Sequence, residues 1–347
     1  MKGTFVNRSK SPLLISFLSL VFHLCGTAAF GQMPALSPLP KTGKLSNPAD
    51  PAKFTFVIAG DNRPAHSTCP QPPTPGKILS AVKGLNPAAA FVLWTGDTIS
   101  GKDPQKPKVI HDQYKEFLQI AATAGVPVFN APGNHEMDDS KEAPSSVMKA
   151  LYRKYMAETY GAFNYGNSRF IALDSENEPP ASAASRHMST AEGQAAKPQP
   201  PGSITKTQLK LLKHDLDANT GKAHIIIFMH HPVKPYDQKD GLDSESVKAL
   251  KKIFADHNNV SYVVSGHEHL YYNSQGPHDQ MTPPPSRTDP TQPALPPYYL
   301  VSGGGGAPLK KNTPGTFFHY IVFAVDGGTI TPTLVKVDSS DPCDTTK

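Results

Sequence analysis

Five short polar segments hold most of the side chains in this sequence that could do chemistry: GDNR at 60–63, GDTI at 96–99, GNHE at 133–136, MHHP at 229–232 and GHEH at 266–269. They supply Asp, Asn and His, whose oxygen and nitrogen donors bind transition metals. Hydrolysis assisted by two cations about 3.5–4 Å apart needs a carboxylate that bridges them, further donors on each side and room for a water. Asp97 is the bridging candidate. Metal binding also acidifies such a water steeply, to a pKa of about 7 in the best zinc cases.

Taken singly, the segments differ in weight. Gly, Asp and Asn suit strand-ending turns, so GDNR or GDTI alone is more often a turn than a metal motif. GNHE adds donors that a turn does not need, and MHHP is balanced between function and structure. GHEH is strong by itself, because two histidines around one position at a strand end favour a metal over a packed core pair. Five such segments in one chain require several independent coincidences if they are only turns.

Positioning these residues requires strands that end together. Apolar, β-rich runs at 54–59, 90–95, 126–130, 170–174, 225–229 and 260–265 predict buried strands, and all but the fourth lead into one of the five segments. Helices fill the gaps. Tyr114, Phe117, Leu118 and Ala121 share a helical face ahead of Gly125; Thr205 and Gln208 form a capping-box pattern before Leu209, Leu212 and Leu216; Val247, Leu250 and Phe254 recur at helical spacing. This alternation is the pattern of an α/β domain. Runs at 298–302, 317–325 and 329–337 have no helices between them and predict a second sheet with a hairpin at Asp326-Gly327-Gly328. Trp94 belongs to the core by its place in a strand, and the glycines at 303–306, with no GK[ST] after them, predict close strand packing rather than a phosphate loop.

The remaining segments bound compartment and domain limits. Lys2, Arg8 and Lys10 precede an apolar stretch and then small residues, with Ala29 and Gly31 at the small positions of a cleavage site. Residues 1–31 are therefore expected to be a signal peptide and the protein to be exported, periplasmic or secreted. The leader has three basic and no acidic residues, so the net charge of +5 falls to +2 without it, and no specific nucleic-acid binding is expected. No later run is apolar for long enough to span a membrane. Cys69 and Cys343 then remain, either as a disulfide or as two separate thiols. A Pro-rich lead-in occupies 32–52, the domain 53–338 and a tail 339–347. Segments 176–203 and 273–297, rich in Pro, Ser, Ala and Gln, take no element and are expected either as loops that overhang the site or as solvated insertions without a role.

The ordered series GD, GD, GNHE, HHP and GHEH, with FIALDS at 170–175 and YLVSGGGGAP at 299–308, resembles the calcineurin-like metallophosphoesterases, the superfamily that includes purple acid phosphatases. The likeness spans about residues 54–338. It implies an α/β fold, a four-layer α/β/β/α sandwich of two mixed sheets, with ligands on loops at one end. It also implies two transition-metal ions (Mn, Fe or Zn): Asp61, Asp97 and His269 on the first, and Asp97, Asn134, His230 and His267 on the second. His135 matches the family histidine that contacts the substrate phosphate and the leaving oxygen. The implied activity is hydrolysis of a phosphate mono- or diester by a metal-bridging hydroxide.

Two positions depart from the pattern. Arg63 stands where many relatives carry a histidine, and Ser100 where purple phosphatases carry a tyrosine, so the first site has three protein ligands and no purple chromophore. Water, a backbone oxygen, Asn62 or His66 are the candidates for the missing place, and His231 is a further candidate site residue. Arg63 could instead fork two hydrogen bonds onto phosphate or a carboxylate. It also sustains the rival from another class, a metal- or phosphate-binding envelope protein whose weak first site has lost turnover.

Overall fold

The structure is a computed structural model that describes residues 1, 31–40, 42–101, 107–137, 145–176, 202–277, 280, 297–340 and 343. Most of the proposed leader, most of both insertions and most of the tail lie outside these residues. The chain divides into two units, residues 1–30 and 31–347, and the second holds every element described below. Among the described residues no helix is long and apolar enough to cross a membrane.

The first sheet runs β11-β10-β1-β2-β3, from β1 (Lys53–Ala59), β2 (Ala89–Trp94), β3 (Val128–Asn130), β10 (His319–Asp326) and β11 (Thr329–Lys336). The second runs β4-β5-β6-β7-β9-β8, from β4 (Gly161–Tyr165), β5 (Ser168–Ala172), β6 (His224–Phe228), β7 (Val260–Ser265), β8 (Tyr271–Asn273) and β9 (Tyr298–Ser302). Both are mixed. β1, β2 and β3 are parallel, as are β5, β6, β7 and β9, while β10, β4 and β8 pair antiparallel with their neighbours.

Alternation along the strands makes the four layers. Phe56, Ile58, Phe91, Phe129 and Phe323 of the first sheet meet Phe170, Ile226, Phe228 and Tyr262 of the second. The Phe56 ring stacks on Phe323 at 4.9 Å and meets Phe170 edge-on at 5.1 Å. The opposite face of the first sheet, with Val57, Val92 and Trp94, packs on α1 (Pro73–Lys83), α2 (Pro107–Ala122) and α4 (Ser145–Tyr155) through Leu79, Phe117 and Tyr152. The outer face of the second, with Ile171, Ile227 and Val263, packs on α5 (Lys206–Ala218) and α6 (Ser244–Ala255) through Leu212 and Phe254.

The tail strands differ from expectation. They do not form one sheet: β9 lies beside β7 in the second sheet, whereas β10 and β11 extend the first, with Phe56 opposite Phe323. Local pattern gives a strand its type but not its partner, which burial of both faces decides. Thr205 caps α5 by accepting from Gln208 N, but the Gln208 amide does not complete the box and instead exchanges two bonds with the Asp174 backbone. The lead-in is part of the fold. Met33, Leu36 and Leu39 each enter a different core cluster, and Met33 N donates to buried Asp215, which also holds Arg169.

Cys69 and Cys343 form a disulfide with Cα atoms 6.0 Å apart, tying the tail to the loop that follows the first GD motif. Cys343→Ser should lower the unfolding free energy by roughly 2–4 kcal/mol. Chemical denaturation with and without reductant measures it, and an unmoved midpoint would show that the crosslink stabilises nothing.

Candidate metal centre

All five polar segments leave the C-terminal ends of parallel strands: Asp61 after β1, Asp97 after β2, Asn134 and His135 on the short helix α3 (Asn134–Met137) after β3, His230 after β6, His267 and His269 after β7. Strand ends of this kind are where open α/β sheets bind ligands. The loops turn sharply. Asp61, Asp97, His267 and His269 have φ of 61°, 53°, 73° and 47°, four of the five non-glycine residues with positive φ among those described. Such conformations cost of order 1–3 kcal/mol each and persist where the surroundings enforce them.

His267 and His269 are therefore not presented by extended backbone. They stand on a left-handed turn, which sends them to different neighbours. His267 Nδ1 lies 3.1 Å from both Asn134 Oδ1 and His230 Nε2, whereas His269 Nε2 lies 3.6 Å from Asp61 Oδ1.

Two donor sets result. Asp61, Asp97 and His269 bring ligand atoms within 4.8 Å of one another. Beside them Asn134 Oδ1, His230 Nε2 and His267 Nδ1 lie 3.0–3.1 Å apart, with Asp97 Oδ1 3.3 Å from His230 Nε2. Ligand atoms about 2.1 Å from one ion are separated by roughly 3.0–3.4 Å, so these spacings match the edges of a coordination shell. Backbone carbonyls fix the tautomers: His230 Nδ1 donates to Thr95 O at 2.8 Å and His269 Nδ1 to Pro308 O at 2.8 Å, leaving each Nε2 lone pair turned inward.

The electrostatics also fit a cation. Burial pushes Asp61 well above the usual carboxylate range, and the neighbouring Asp97 charge adds to this. Burial penalises Asp97 too, yet His230, His135, Arg63 and His269 outweigh it and hold its carboxyl below that range. Burial, then Arg63, takes His269 down to about 3, and burial lowers His230 against the pull of Asp97 and Glu176. Asp61 Oδ2 is buried without a hydrogen-bond partner. A carboxylate oxygen in that state is costly unless a cation completes it.

Glu136, the last residue of GNHE, accepts from Asp97 N (3.0 Å), Thr98 N (2.5 Å), Thr98 Oγ1 (2.7 Å) and Gly133 N (2.7 Å). It ties two ligand loops together, a role the sequence did not disclose, and burial followed by the Asp97 charge raises it to about 7. Gly133 must lack a side chain, because a Cβ there would lie 2.3 Å from Asp97 Oδ1. At Gly305 the Cβ would lie 2.2 Å from Gly60 O, which bears out close packing in the glycine run.

A pocket of about 250 Å³ opens over these residues, lined by Arg63, Asp97, Asn134, His135, His267 and His269 and rimmed by Asp240, Glu268, Pro308 and Lys310. Glu268 and Pro308 belong to the GHEH and YLVSGGGGAP segments, but no motif marked Asp240 or Lys310. Lys310 pairs with Asp240 at 3.0 Å, and Glu268 accepts from Tyr236 N and Asp237 N at 2.7 Å each. His135 Nδ1 donates to Ser100 O, and its Nε2 lies 3.8 Å from Asp97 Oδ2. Arg63 Nε is 3.5 Å from Asp97 Oδ2.

Two candidates for the missing first-site ligand are not in place. The Asn62 oxygen accepts from Trp94 Nε1 at 2.8 Å and its amide donates to Gln71 at 2.7 Å, so the indole secures the loop through Asn62. His66 is exposed and does not line the pocket. His231 is buried behind His267, with Nδ1 2.6 Å from Glu176.

A sequence model of the calcineurin-like phosphoesterase family matches residues 54–271, more than half of the chain. The chain belongs to the calcineurin-like phosphoesterase family. Its two mixed sheets between helical layers are the sandwich expected of that family. Among solved structures it resembles a purple acid phosphatase from yellow lupin (Lupinus luteus) seeds, with 16% identity and a TM-score of 0.58 over 85% of this chain and 54% of that one. It thus spans about half the length of the lupin enzyme. It also resembles a dimetal phosphatase from Danio rerio, with 15% identity and a TM-score of 0.55 over 83% of this chain and 99% of that one. At these identities the likeness is one of fold. No curated protein matches the chain.

Proposed function

We propose that this phosphoesterase is an exported enzyme that uses two metal ions to hydrolyse a phosphate mono- or diester. Asp61, Asp97 and His269 would hold the first ion; Asp97, Asn134, His230 and His267 would hold the second. The observation that carries the assignment is the place of Asp97, which belongs to the Asp61–His269 group and also sits 3.3 Å from His230 in the other. Oxygen-rich and imidazole-rich sets of this kind suit Mn, Fe or Zn. When bound, the metals supply Lewis-acid polarisation of the phosphoryl group and acidify water.

The chain's own residues do the rest. Arg63 beside the bridging carboxylate orients a phosphoryl oxygen. His135 lines the pocket with Nδ1–H committed to Ser100 O, so in its imidazolium form Nε2–H is the group that delivers a proton to the leaving oxygen, leaving the ring neutral. The apolar leader and the Cys69–Cys343 disulfide support export to an oxidising compartment. Metal-stripped protein reloaded with Mn, Zn or Fe should turn over members of a mono- and diester panel, and no turnover with any metal would sink the proposal in favour of a binding protein.

Arg63 leaves the first site with one ligand fewer than the second, so the two ions should bind with unequal strength. Arg63→His should tighten the weaker step and raise KM, because it supplies an imidazole and removes the guanidinium. Calorimetric metal titration reads this, and equal tight steps before and after the change would mean that another group completes the first site.

A further inference from the structure

His230 and His269 are oriented by backbone carbonyls, but His267 stands on a turn with φ 73° and has the ring of His231 against it, centroids 4.2 Å apart and planes tilted by 36°. His231 is itself held on several sides. Its Nδ1 lies 2.6 Å from Glu176 Oε1, and its backbone N–H donates to Ser175 Oγ at 3.0 Å. The Ser175 hydroxyl in turn donates to Glu176 Oε1 at 2.9 Å. The backbone of Gly202 presses so close that a Cβ there would lie 2.4 Å from His231 Cγ. The His231 and Glu176 side chains are almost wholly buried and neither lines the pocket over the donor sets. A buried carboxylate and imidazole in mutual contact are costly to desolvate, and the ring they fix is the wall behind a candidate metal ligand.

We propose that Glu176 and His231 are positioning residues for the second metal site: Glu176 locks the His231 ring, and that ring sets the orientation of His267 and hence the affinity for the second ion. The inference rests on the two-metal assignment above and adds a layer behind the ligands to it. Groups that orient a ligand in this way typically alter metal affinity or activity by about 10–100-fold when removed.

The test is calorimetric titration of metal-stripped protein with Zn(II), together with visible spectra of the Co(II)-loaded form. Glu176→Ala should weaken the tighter step by about 10–100-fold and shift the Co(II) bands, while the weaker step moves less than about twofold. Glu176→Gln keeps an acceptor for the His231 ring and should restore most of the affinity and the spectrum. Melting of the metal-free proteins reports folding, and His231→Gln provides the same comparison if the alanine variant does not fold. Wild-type affinity and spectrum in Glu176→Ala and His231→Gln would overturn the proposal alone. Complete loss of the tighter step in His231→Gln, with Glu176→Ala unaffected, would overturn it by making His231 a ligand. A wild-type protein that binds no zinc would overturn the two-metal assignment and this proposal together.

Discussion

Asp97→Ala should strip the protein of both metals, from about two per chain to nearly none, and lower turnover by more than about 10³-fold. Its carboxylate touches both donor sets: Oδ1 lies 3.3 Å from His230 Nε2, and the group as a whole sits within ligand reach of Asp61 and His269. Each site loses a ligand, and the buried charge that attracts cations disappears. The backbone of the loop should survive, because Asp97 N donates to Glu136 rather than to its own side chain. Alanine is less at ease than Asp at φ 53°, so Asp97→Asn, which tolerates that conformation and removes only the charge, is the control. Elemental analysis of both variants measures the metal, and a full load in either would refute the bridging role.

His135→Ala should lower kcat by roughly 10²–10⁴-fold while leaving metal content nearly unchanged. The ring lines the pocket, yet its Nε2 is 3.8 Å from Asp97 Oδ2 and takes no part in the convergent set of Asn134, His230 and His267. Because Ser100 O can only accept, Nδ1 carries a hydrogen, which aims Nε2 at the site of reaction. The loss should be greatest for esters with poor leaving groups, which most need a proton. Full activity on an alkyl ester would remove His135 from the chemistry.

Much of this candidate site was legible because a donor set is written locally. A ligand loop must end a buried strand and carry a specific donor, and those two requirements leave GD, GNHE and GHEH directly behind apolar runs. The strands of 54–59 and 260–265 agree with β1 and β7 to within a residue for the same reason. Short edge strands were not legible. β4 and β8 are five and three residues long, too brief for a pattern, and exist because the edges of a sheet formed elsewhere accept them.

The sequence by itself determined the donor types, their order along the chain and the α/β alternation that sets them at strand ends, since each depends on residues within a few positions of one another. Tertiary structure alone decided which sheet β9 joins, that Cys69 meets Cys343, and that Asn62 and His66 are not placed as ligands while Asn62 is held by Trp94. It also decided that Glu136 binds two ligand loops together and that Glu176 stands behind His231 and His267. Apart from the bond of Glu136 to Gly133, these contacts join residues tens to hundreds of positions apart. Their energies come from burial and from the closing of hydrogen bonds in a shared interior, which no local pattern encodes.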